Sequence, residues 1–268
     1  MKNNFKILIF TDLDGSILHR ENFKFDEIKD YIKYLINKGI FIIPNSSKTE
    51  KEILDFNNEL GENLPFISEN GSAIHQLNLI NKNFPDKVIL SRDKSEIYDI
   101  FEKKTSDYLR KKCQFLTEMK KQKQIQILGL TDEKLKNALD RNYTIPLLFE
   151  GNKKDKDKLN NTVIANGLTL QTGGRIINLC DKVNKVKSMK RVIKIFKKIE
   201  KNIKVIAVGD NYNDLEMLRN SDVPCLVFND KFTLDEINID NLVISNKPSP
   251  LGWSDVIKKA LVNLNYND

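Results

Sequence analysis

The sequence predicts an α/β fold with a parallel-sheet core and an inserted α+β domain. Three observations support this prediction: apolar runs alternate with amphipathic helices near the start, the same alternation returns near the end, and the middle segment follows another pattern. The chain has 268 residues, enough for one large domain or two modest ones. At this length roughly 70–75% of the unfolded surface can be buried, so folding needs no disulfide.

The first 75 residues alternate between strands and helices. Short apolar runs predict buried strands, and apolar residues at helical spacing, such as Ile28, Ile32 and Leu35, predict amphipathic helices. The predicted strands are 6–10, 40–44 and 65–68, and the predicted helices are 25–37 and 49–60. A βαβαβ order of this kind indicates a parallel sheet with right-handed crossovers.

The end of the chain repeats this pattern, whereas the middle does not. Near the end, helices are predicted at 185–200, 213–220 and 253–264, and strands at 205–208, 224–228 and 242–245. In the middle, helices are predicted at 94–112, 132–141 and 155–166, and strands at 145–149, 169–171 and 176–179. We therefore expect residues 1–80 and 181–268 to form the core and residues 81–180 to form the inserted domain.

The composition is that of an ordinary soluble globular protein, with 40% hydrophobic and 30% charged residues. The longest apolar runs are four residues, far short of the about 20 that a spanning helix needs, so no membrane segment is expected. The N-terminal run is too short for a signal peptide, and none is expected. Cys113, Cys180 and Cys225 form no Cys-x-x-Cys pair, so we expect free thiols and a cytoplasmic protein.

Lysine and arginine outnumber aspartate and glutamate by 44 to 37, which gives a formal net charge of +7. A positive balance favours anionic partners. The basic residues are mixed with acidic ones, even in the dense stretch 153–158, so the charge does not by itself select nucleic acid. We expect a small anionic ligand and neither a nucleic-acid nor a membrane partner. The oligomeric state stays open.

Two carboxylates, Asp12 and Asp14, follow directly after the first predicted strand. In open α/β sheets, ligands bind at the carboxyl ends of the strands. Carboxylates this close repel each other unless a cation lies between them, and Mg²⁺ prefers oxygen ligands. The segment therefore predicts metal-assisted chemistry, although a polar turn after a strand would use the same residue types.

A second acidic segment follows the predicted strand 205–208. Asp210 would supply a third carboxylate to the metal. Asp214 lies four residues further on, on the same face of a helical turn, where it would support the metal or a neighbouring lysine. Either residue type could instead cap a helix, since aspartate is favoured there. Two such segments at matching strand ends favour a shared metal site.

Two further positions carry groups suited to a phosphate. Ser46 follows the second predicted strand and offers a hydroxyl, although it is also a plausible helix N-cap. A lysine at the start of the helix 185–200 would neutralise both a phosphate and a nucleophile. Lys182, Lys185 and Lys187 compete for this place, and Lys185 is favoured because it follows Asn184, a good N-cap.

In this order the four segments resemble the haloacid dehalogenase superfamily of phosphohydrolases. The segment 12–16 (Asp-Leu-Asp-Gly-Ser) is similar to the first motif of that family, Ser46 to the second, Lys185 to the third and residues 209–214 to the fourth. Val186 stands where a glycine often follows the third-motif lysine, which keeps Lys182 as an alternative. The resemblance implies a Rossmann-like core, with the insertion acting as a substrate-selecting cap.

Other segments resemble the mannosyl- and glucosyl-3-phosphoglycerate phosphatase branch of this superfamily. They occur in both the core and the insertion, at 46–49 with Glu52, 69–74, 129–131, 141–146, 173–175 and 247–253. Asn178 departs from that branch, in which a histidine is frequent at this place. The resemblance implies compatible-solute biosynthesis and leaves the hexose and its anomer open.

The resemblance also implies a mechanism. Asp12 attacks phosphorus to form an aspartyl-phosphate, and Asp14 protonates the leaving group and then activates water. Mg²⁺ is held by Asp12, the backbone carbonyl of Asp14 and Asp210, with Asp214 in support. Ser46 and Lys185 stabilise the charge of the transferring phosphoryl group.

The substrate would be selected by residues of the insertion and the adjoining core. Arginine matches a carboxylate bidentately, so Arg141 and Arg175 are candidates for a glycerate carboxylate. Arg141 could instead offset a helix dipole, and Glu69 with Asn70 could form a turn rather than bind sugar hydroxyls. The remaining candidates for substrate contact are Lys48, Gly173, Gly174 and Asn213.

Three other functions are compatible with the sequence. A related phosphatase for sucrose phosphate or a simple hexose phosphate would share the core chemistry, and a phosphomutase would share the aspartyl-phosphate. A non-catalytic nucleic-acid-binding protein would show steeply salt-dependent binding and no hydrolysis. The carboxylates Asp12, Asp14 and Asp210 argue against that last function, because without a metal they would repel phosphate.

Overall fold

The computed structural model describes residues 5–172, 175–230 and 237–266. Within these ranges the strands are β1 (Lys6–Thr11), β2 (Phe41–Pro44), β3 (Phe66–Ser68), β4 (Ala73–His75), β5 (Lys87–Ile89), β6 (Cys113–Phe115), β7 (Thr144–Phe149), β8 (Leu168–Thr172), β9 (Ile177–Asp181), β10 (Ile203–Gly209), β11 (Val223–Leu226) and β12 (Val243–Ile244). The α-helices are α1 (Asp26–Asn37), α2 (Glu50–Leu60), α3 (Lys94–Lys104), α4 (Asp107–Arg110), α5 (Lys121–Leu128), α6 (Asp132–Leu139), α7 (Lys153–Ala165), α8 (Lys185–Phe196), α9 (Leu215–Arg219) and α10 (Leu251–Asn263).

Five parallel strands form the central sheet, in the order β12-β11-β10-β1-β2. Side chains of β1 alternate between its two faces, as a strand requires. Ile7 and Ile9 pack into one apolar cluster with α1 and α10, whereas Leu8 and Phe10 pack into a second cluster with α8 and α9. Both faces are therefore covered, and the predicted α/β class is confirmed.

The order in which the chain adds strands to the sheet reverses beside β1. β2 pairs with one edge of β1, and β10 pairs with the other edge after the long excursion through the rest of the chain. Thr11 lies opposite Val208 on one side and Pro44 on the other, so these strands end at the same level. The indole Nε1 of Trp253 donates a hydrogen bond to Thr11 Oγ1 at 3.0 Å and anchors this strand end. A crevice at such a reversal is where open α/β sheets bind ligands.

The third predicted strand forms, but its expected place in the parallel sheet is wrong. β3 has only an isolated parallel bridge to the core sheet, between Asn45 and Ile67, and pairs antiparallel with β4, which pairs with β5. The cause is local, because Glu69, Asn70 and Gly71 have φ values of 47°, 59° and 97° and turn the chain back on itself. Such left-handed conformations are common only for glycine and asparagine.

Residues 94–181, which we call the inserted unit, form a four-stranded antiparallel sheet in the order β6-β7-β9-β8. Its apolar cluster draws its buried members only from residues between Ile97 and Leu179. The predicted boundary at residue 81 cuts through other packing, since β5 pairs with β4 and Phe84 belongs to a core cluster. The packing therefore places the start of the inserted unit near α3.

The predicted helix 94–112 is also wrong in its length. It divides into α3 and α4 because Thr105 and Ser106 adopt extended conformations between them. Polar periodicity continues through this break, so the sequence pattern alone did not reveal it. The three cysteines are free and buried, as expected. In the described part of the chain, no helix combines the length and apolar character needed to cross a bilayer.

Helix α2 begins after Thr49, so Thr49 is its N-cap, and the alternative cap role of Ser46 is not realised there. Thr49 and Glu52 form a capping box, in which the Thr49 hydroxyl accepts from Glu52 N and the Glu52 carboxylate accepts from Thr49 N. The Thr49 hydroxyl also donates to the carbonyl of Asn137 in α6 at 2.8 Å. One side chain thus caps a core helix and holds the inserted unit.

Because of this double role, we expect Thr49→Ala to lower the free energy of unfolding by about 1–2 kcal/mol, the upper range for loss of an N-cap. Thr131→Ala is the matched control, since Thr131 caps α6 through a single 3.5 Å contact with Lys134 N. We expect the control to lose about 0.5–1 kcal/mol in urea unfolding. Equal losses would contradict a stabilising contact between Thr49 and α6.

Candidate active site

Three carboxylates meet at the crevice beside β1. Asp12 follows β1 and Asp210 follows β10, and these strands are neighbours, so their ends bring the two side chains together. Asp12, Asp210 and Asp214 are all buried, and each offers an oxygen within 4.8 Å of the others. Asp12 lies about 200 positions before Asp210 and Asp214 in the sequence, and the parallel pairing of β1 with β10 brings them together.

Asp214 is held rigidly by the backbone that precedes it. Its Oδ2 accepts hydrogen bonds from the backbone N–H groups of Asp210 at 3.1 Å and Asn211 at 3.2 Å. A Cβ on Gly209 would lie 2.3 Å from the Cβ of Asp214, so only glycine leaves room for this side chain. Asn211, rather than either aspartate, caps the short turn that follows.

Lys185 lies between two of the carboxylates. Its Nζ is 2.9 Å from Asp12 Oδ1 and 2.7 Å from Asp214 Oδ1. Burial disfavours the charged amine, but the two carboxylates outweigh it and raise the pKa of Lys185 above its ordinary value. Lys185 is the first residue of α8 behind the N-cap Asn184, whereas Lys182 is exposed. The geometry therefore places Lys185, and not Lys182, beside Asp12.

The carboxylate cluster fits a divalent cation. Burial raises the pKa of Asp210 well above its usual range, and the charges of Asp214 and Asp12 raise it further. A cation would relieve this repulsion, and a set of carboxylate oxygens suits Mg²⁺. The side chain of Asp14 is outside the cluster, so any contribution of Asp14 to a metal would come from its backbone carbonyl.

Asp14 faces a different partner, Lys48. The Lys48 Nζ is 3.1 Å from Asp14 Oδ1 and 3.2 Å from Glu52 Oε1. Burial in the cleft raises the pKa of Asp14; Lys48 opposes that shift and Asp12 adds to it. The Asp14 side chain is still 38% exposed, so it can reach a ligand. A carboxyl group with a raised pKa and access to the cleft is suited to donating a proton.

Ser46 is fully buried at the end of β2. Its N–H donates to Ile67 O at 3.1 Å, and its Oγ accepts from Lys48 N at 3.4 Å. The neighbouring residues Ser47 and Lys48, rather than Ser46, line the cleft. The phosphate-binding role of Ser46 stays a prediction.

A cavity of about 380 Å³ lies between the carboxylates and the inserted unit. Its lining includes the carboxylates of Asp12, Asp14 and Asp210 and the basic side chains of Lys48, Arg141 and Arg175. Asn213 also lines it and, within the described residues, its Oδ1 has no hydrogen-bond partner. The core and the inserted unit therefore both contribute side chains to one cavity, and these side chains include carboxylates and cations.

Arg141 and Arg175 both reach the cavity, with different partners. Arg141 is buried, and its Nε donates to Ala138 O in the last turn of α6. Its positive charge therefore lies at the negative end of the helix dipole, as the alternative interpretation of this residue predicted. Its Nη1 donates to Ser47 O and Thr144 Oγ1. Arg175 is exposed and donates to the carbonyls of Leu128 and Arg20. Gly173 and Gly174 lie outside the described residues.

The predicted contacts of Glu69 and Asn70 with a sugar need correction. Glu69 is buried, and its carboxylate accepts hydrogen bonds from Asn142 N, Tyr143 N and Thr144 Oγ1 at 2.7–3.0 Å. Both of its oxygens are thus occupied by the inserted unit. Asn70 lines a neighbouring groove of about 630 Å³, beside Lys182 and Asn184, instead of the cavity above Asp12. Glu69 therefore joins the core to the inserted unit.

Sequence reasoning did not identify Arg20, Phe23 or Asn178 as site residues. Arg20 forms an ion pair with Asp210. The centroid of the Phe23 ring is 5.1 Å from Lys48 Nζ and 5.2 Å from Arg175 Cζ. Asn178 lines the cavity at 2% exposure, and its Oδ1 has no hydrogen-bond partner among the described residues. For Asn178 the sequence contained one signal, the asparagine at a place where the related phosphatases often have a histidine. It contained none for Arg20 and Phe23, because they lie in an irregular turn.

The fold and the site define an α/β enzyme whose carboxylates and buried lysine lie at the reversal point of a parallel sheet. The model of the haloacid dehalogenase-like hydrolases matches residues 9–239. The chain belongs to this family of hydrolases.

Individual proteins show how widely the similarity extends. The chain is 29% identical over 268 residues to the glucosyl-3-phosphoglycerate/mannosyl-3-phosphoglycerate phosphatase of Persephonella marina, covering 95% of this chain and 97% of that protein. It is 28% identical over 220 residues to the mannosyl-3-phosphoglycerate phosphatase of Pyrococcus horikoshii, covering 78% and 86%. The structure of a HAD/COF-like hydrolase from Plasmodium vivax matches with a TM-score of 0.69 over 97% of this chain and 96% of that one, at 16% identity. That last match supports the fold alone.

The position of Lys185 leads to a stability prediction. Lys185→Met keeps an unbranched side chain of similar length but leaves Asp12 and Asp214 buried without their shared cation, which should cost about 3–5 kcal/mol of unfolding free energy. Lys182→Met is the matched control, because Lys182 is exposed and its change should stay within about 0.5 kcal/mol. Urea unfolding of both variants tests this. A small loss for Lys185→Met would contradict a structural ion pair at the site.

Proposed function

We propose that this protein is a Mg²⁺-dependent phosphomonoester hydrolase that removes phosphate from mannosyl- or glucosyl-3-phosphoglycerate. The observation that carries the proposal is one cavity lined both by Asp12, Asp14 and Asp210 and by the basic side chains Lys48, Arg141 and Arg175. Lys185 contacts Asp12 at 2.9 Å beside it. The names of the relatives in Persephonella marina and Pyrococcus horikoshii support the choice of substrate.

Asp12 is the proposed nucleophile. Its carboxylate attacks phosphorus in line with the departing alkoxide and forms an aspartyl-phosphate, while the P–O bond to the glycerate breaks. The nearby ammonium of Lys185 offsets the charge of the incoming phosphate. Asp214 holds that lysine in place through its 2.7 Å contact. Loss of Asp214 should therefore act through Lys185.

Asp14 is the proposed acid and base. It lies two residues after the nucleophile, and its raised pKa favours the protonated form that gives a proton to the leaving alkoxide. The carboxylate that remains then takes a proton from the water that hydrolyses the aspartyl-phosphate. Lys48 balances this change of charge, because its Nζ contacts both Asp14 and Glu52.

The proposed metal ligands are Asp12, Asp210 and the backbone carbonyl of Asp14, with Asp214 orienting the cluster. When bound, Mg²⁺ would supply charge neutralisation between the carboxylates and the phosphate oxygens. Ser46 and Lys185 are the proposed phosphate-stabilising groups of the chain itself.

We propose residues 94–181 as the cap that selects the substrate, with the boundary moved from 81 for the packing reasons given above. Arg175 and Arg141 are the candidates for the glycerate carboxylate, since arginine pairs with carboxylates in two contacts. Lys48 and Asn213 line the same cavity and complete the proposed contacts. A sucrose phosphate or simple hexose phosphate lacks the carboxylate that these arginines are proposed to bind.

Phosphate release from a panel of substrates tests the proposal. The panel contains mannosyl- and glucosyl-3-phosphoglycerate, sucrose phosphate, glucose 6-phosphate and a nucleotide monophosphate, each with Mg²⁺ or with EDTA. We expect a preference for a glycosyl-phosphoglycerate of at least about tenfold in kcat/KM, or about 1.4 kcal/mol. Asp12→Asn and EDTA should abolish release.

The other outcomes separate the alternatives. A preference for sugar phosphates without a carboxylate would keep the phosphatase and reject the substrate. Isomerised sugar phosphate without released phosphate would indicate a phosphomutase. Equal release by the Asp12→Asn variant would reject Asp12 as the nucleophile.

Asn178 offers a test of where the substrate's sugar binds. An unpaired, buried amide oxygen is costly, and a ligand hydroxyl would relieve it. We expect Asn178→Leu to lower kcat/KM for the glycosyl-phosphoglycerate about tenfold. The hydrolysis of p-nitrophenyl phosphate, which has no sugar, should change less than about twofold. Equal losses on both substrates would indicate damage to the core instead.

A further inference from the structure

Arg20 occupies a place at the carboxylate cluster that no motif of the sequence predicted. Its guanidinium Nη2 contacts Asp210 Oδ2, and the side chains of the pair are 32% and 3% exposed. Asp210 therefore already has a cationic partner, supplied by the segment between β1 and α1. Asp210 is also a proposed metal ligand, so the inference about Arg20 rests on the proposed metal site.

The turn that carries Arg20 is closed by several hydrogen bonds. His19 N donates to Lys24 O at 2.9 Å, and Phe23 N donates to His19 O at 2.9 Å. The Nδ1 of His19 accepts from the backbone N–H of Glu21 at 3.2 Å. Phe23 is held at φ 61°, a conformation that a bulky residue rarely adopts. These contacts fix the backbone from which Arg20 extends towards Asp210.

The inserted unit also contacts this turn. Arg175 Nη2 donates to the carbonyl of Arg20 at 3.1 Å, and the Arg175 guanidinium lies 5.2 Å from the centre of the Phe23 ring. Gly15 completes the enclosure, because a Cβ there would lie 2.4 Å from Asp210 Oδ2 and 3.1 Å from Arg20 Nη2. Residues of the core and of the inserted unit thus both enclose Arg20 beside Asp210.

The two cations of the cluster have different neighbours. Lys185 is buried and shared by Asp12 and Asp214, so it has no need to move when a second cation arrives. Arg20 is partly exposed, and its Nη2 contacts Asp210 Oδ2, an oxygen that a metal could use as a ligand. A divalent ion that binds Asp210 through Oδ2 must therefore displace the Arg20 guanidinium.

We propose that Arg20 is a built-in competitor of the divalent cation at Asp210. In the metal-free protein it neutralises the carboxylate that would otherwise repel Asp12 and Asp214. When the metal binds, the Arg20 side chain leaves Asp210, so part of the binding free energy is spent on breaking this ion pair. Arg20 is thereby a positioning residue that sets the affinity of the site for the metal.

Direct titration of EDTA-treated protein with Mg²⁺ by calorimetry tests this inference without any substrate. We expect Arg20→Gln to bind Mg²⁺ about fivefold more tightly than the unmodified protein, because a partly exposed ion pair no longer has to break. Lys24→Gln removes the same charge from an exposed position of the same turn. In about 0.15 M salt, where charges are screened over roughly 8 Å, this control should change the affinity less than about twofold.

Asp210→Asn separates the failure of this inference from the failure of the proposed metal site. Unchanged Mg²⁺ binding by Asp210→Asn would overturn both, since the metal would then bind elsewhere. Loss of binding by Asp210→Asn, with Arg20→Gln equal to or weaker than the unmodified protein, would overturn the competition alone. Arg20→Met provides a second replacement if the glutamine variant does not fold, and the same tighter binding is expected of it.

Discussion

The contact of Lys185 with Asp12 and Asp214 is the interaction on which the rest of the site depends. Three buried carboxylates repel one another, and burial makes each charge costly. The lysine at the start of α8 offsets two of them, and Gly209 leaves the space in which Asp214 can reach it. The parallel pairing of β1 with β10 supplies the rigid base for this arrangement.

A second constraint joins the inserted unit to the core. The Glu69 carboxylate binds the segment 142–144, Arg141 binds the carbonyl of Ser47, and Thr49 binds the carbonyl of Asn137. These polar contacts join the core to the inserted unit, and each of the two has its own apolar cluster. They hold the inserted unit against the core beside the cavity. Glu69, which the sequence predicted to bind a sugar, therefore forms part of the joint between the two units.

The sequence predicted the core strands well because their signals are local. A run such as Ile7–Phe10 is apolar on both faces, and only a strand covered on both sides uses such a run. The predictions that failed were those that local pattern does not control. β3 leaves the parallel sheet because of the left-handed turn at 69–71, and the helix 94–112 breaks at Thr105 within an unbroken polar pattern.

By itself, the sequence determined the α/β class, the inserted unit and the two acidic segments at strand ends, because each follows from short-range periodicity and spacing. Only the tertiary structure decided which lysine reaches Asp12, that Glu69 serves the inserted unit, and that Arg20 and Asn178 face the cavity. The contacts of Glu69 and Arg20 join residues 73 and 190 positions apart, and only the packing of the whole chain brings such residues together.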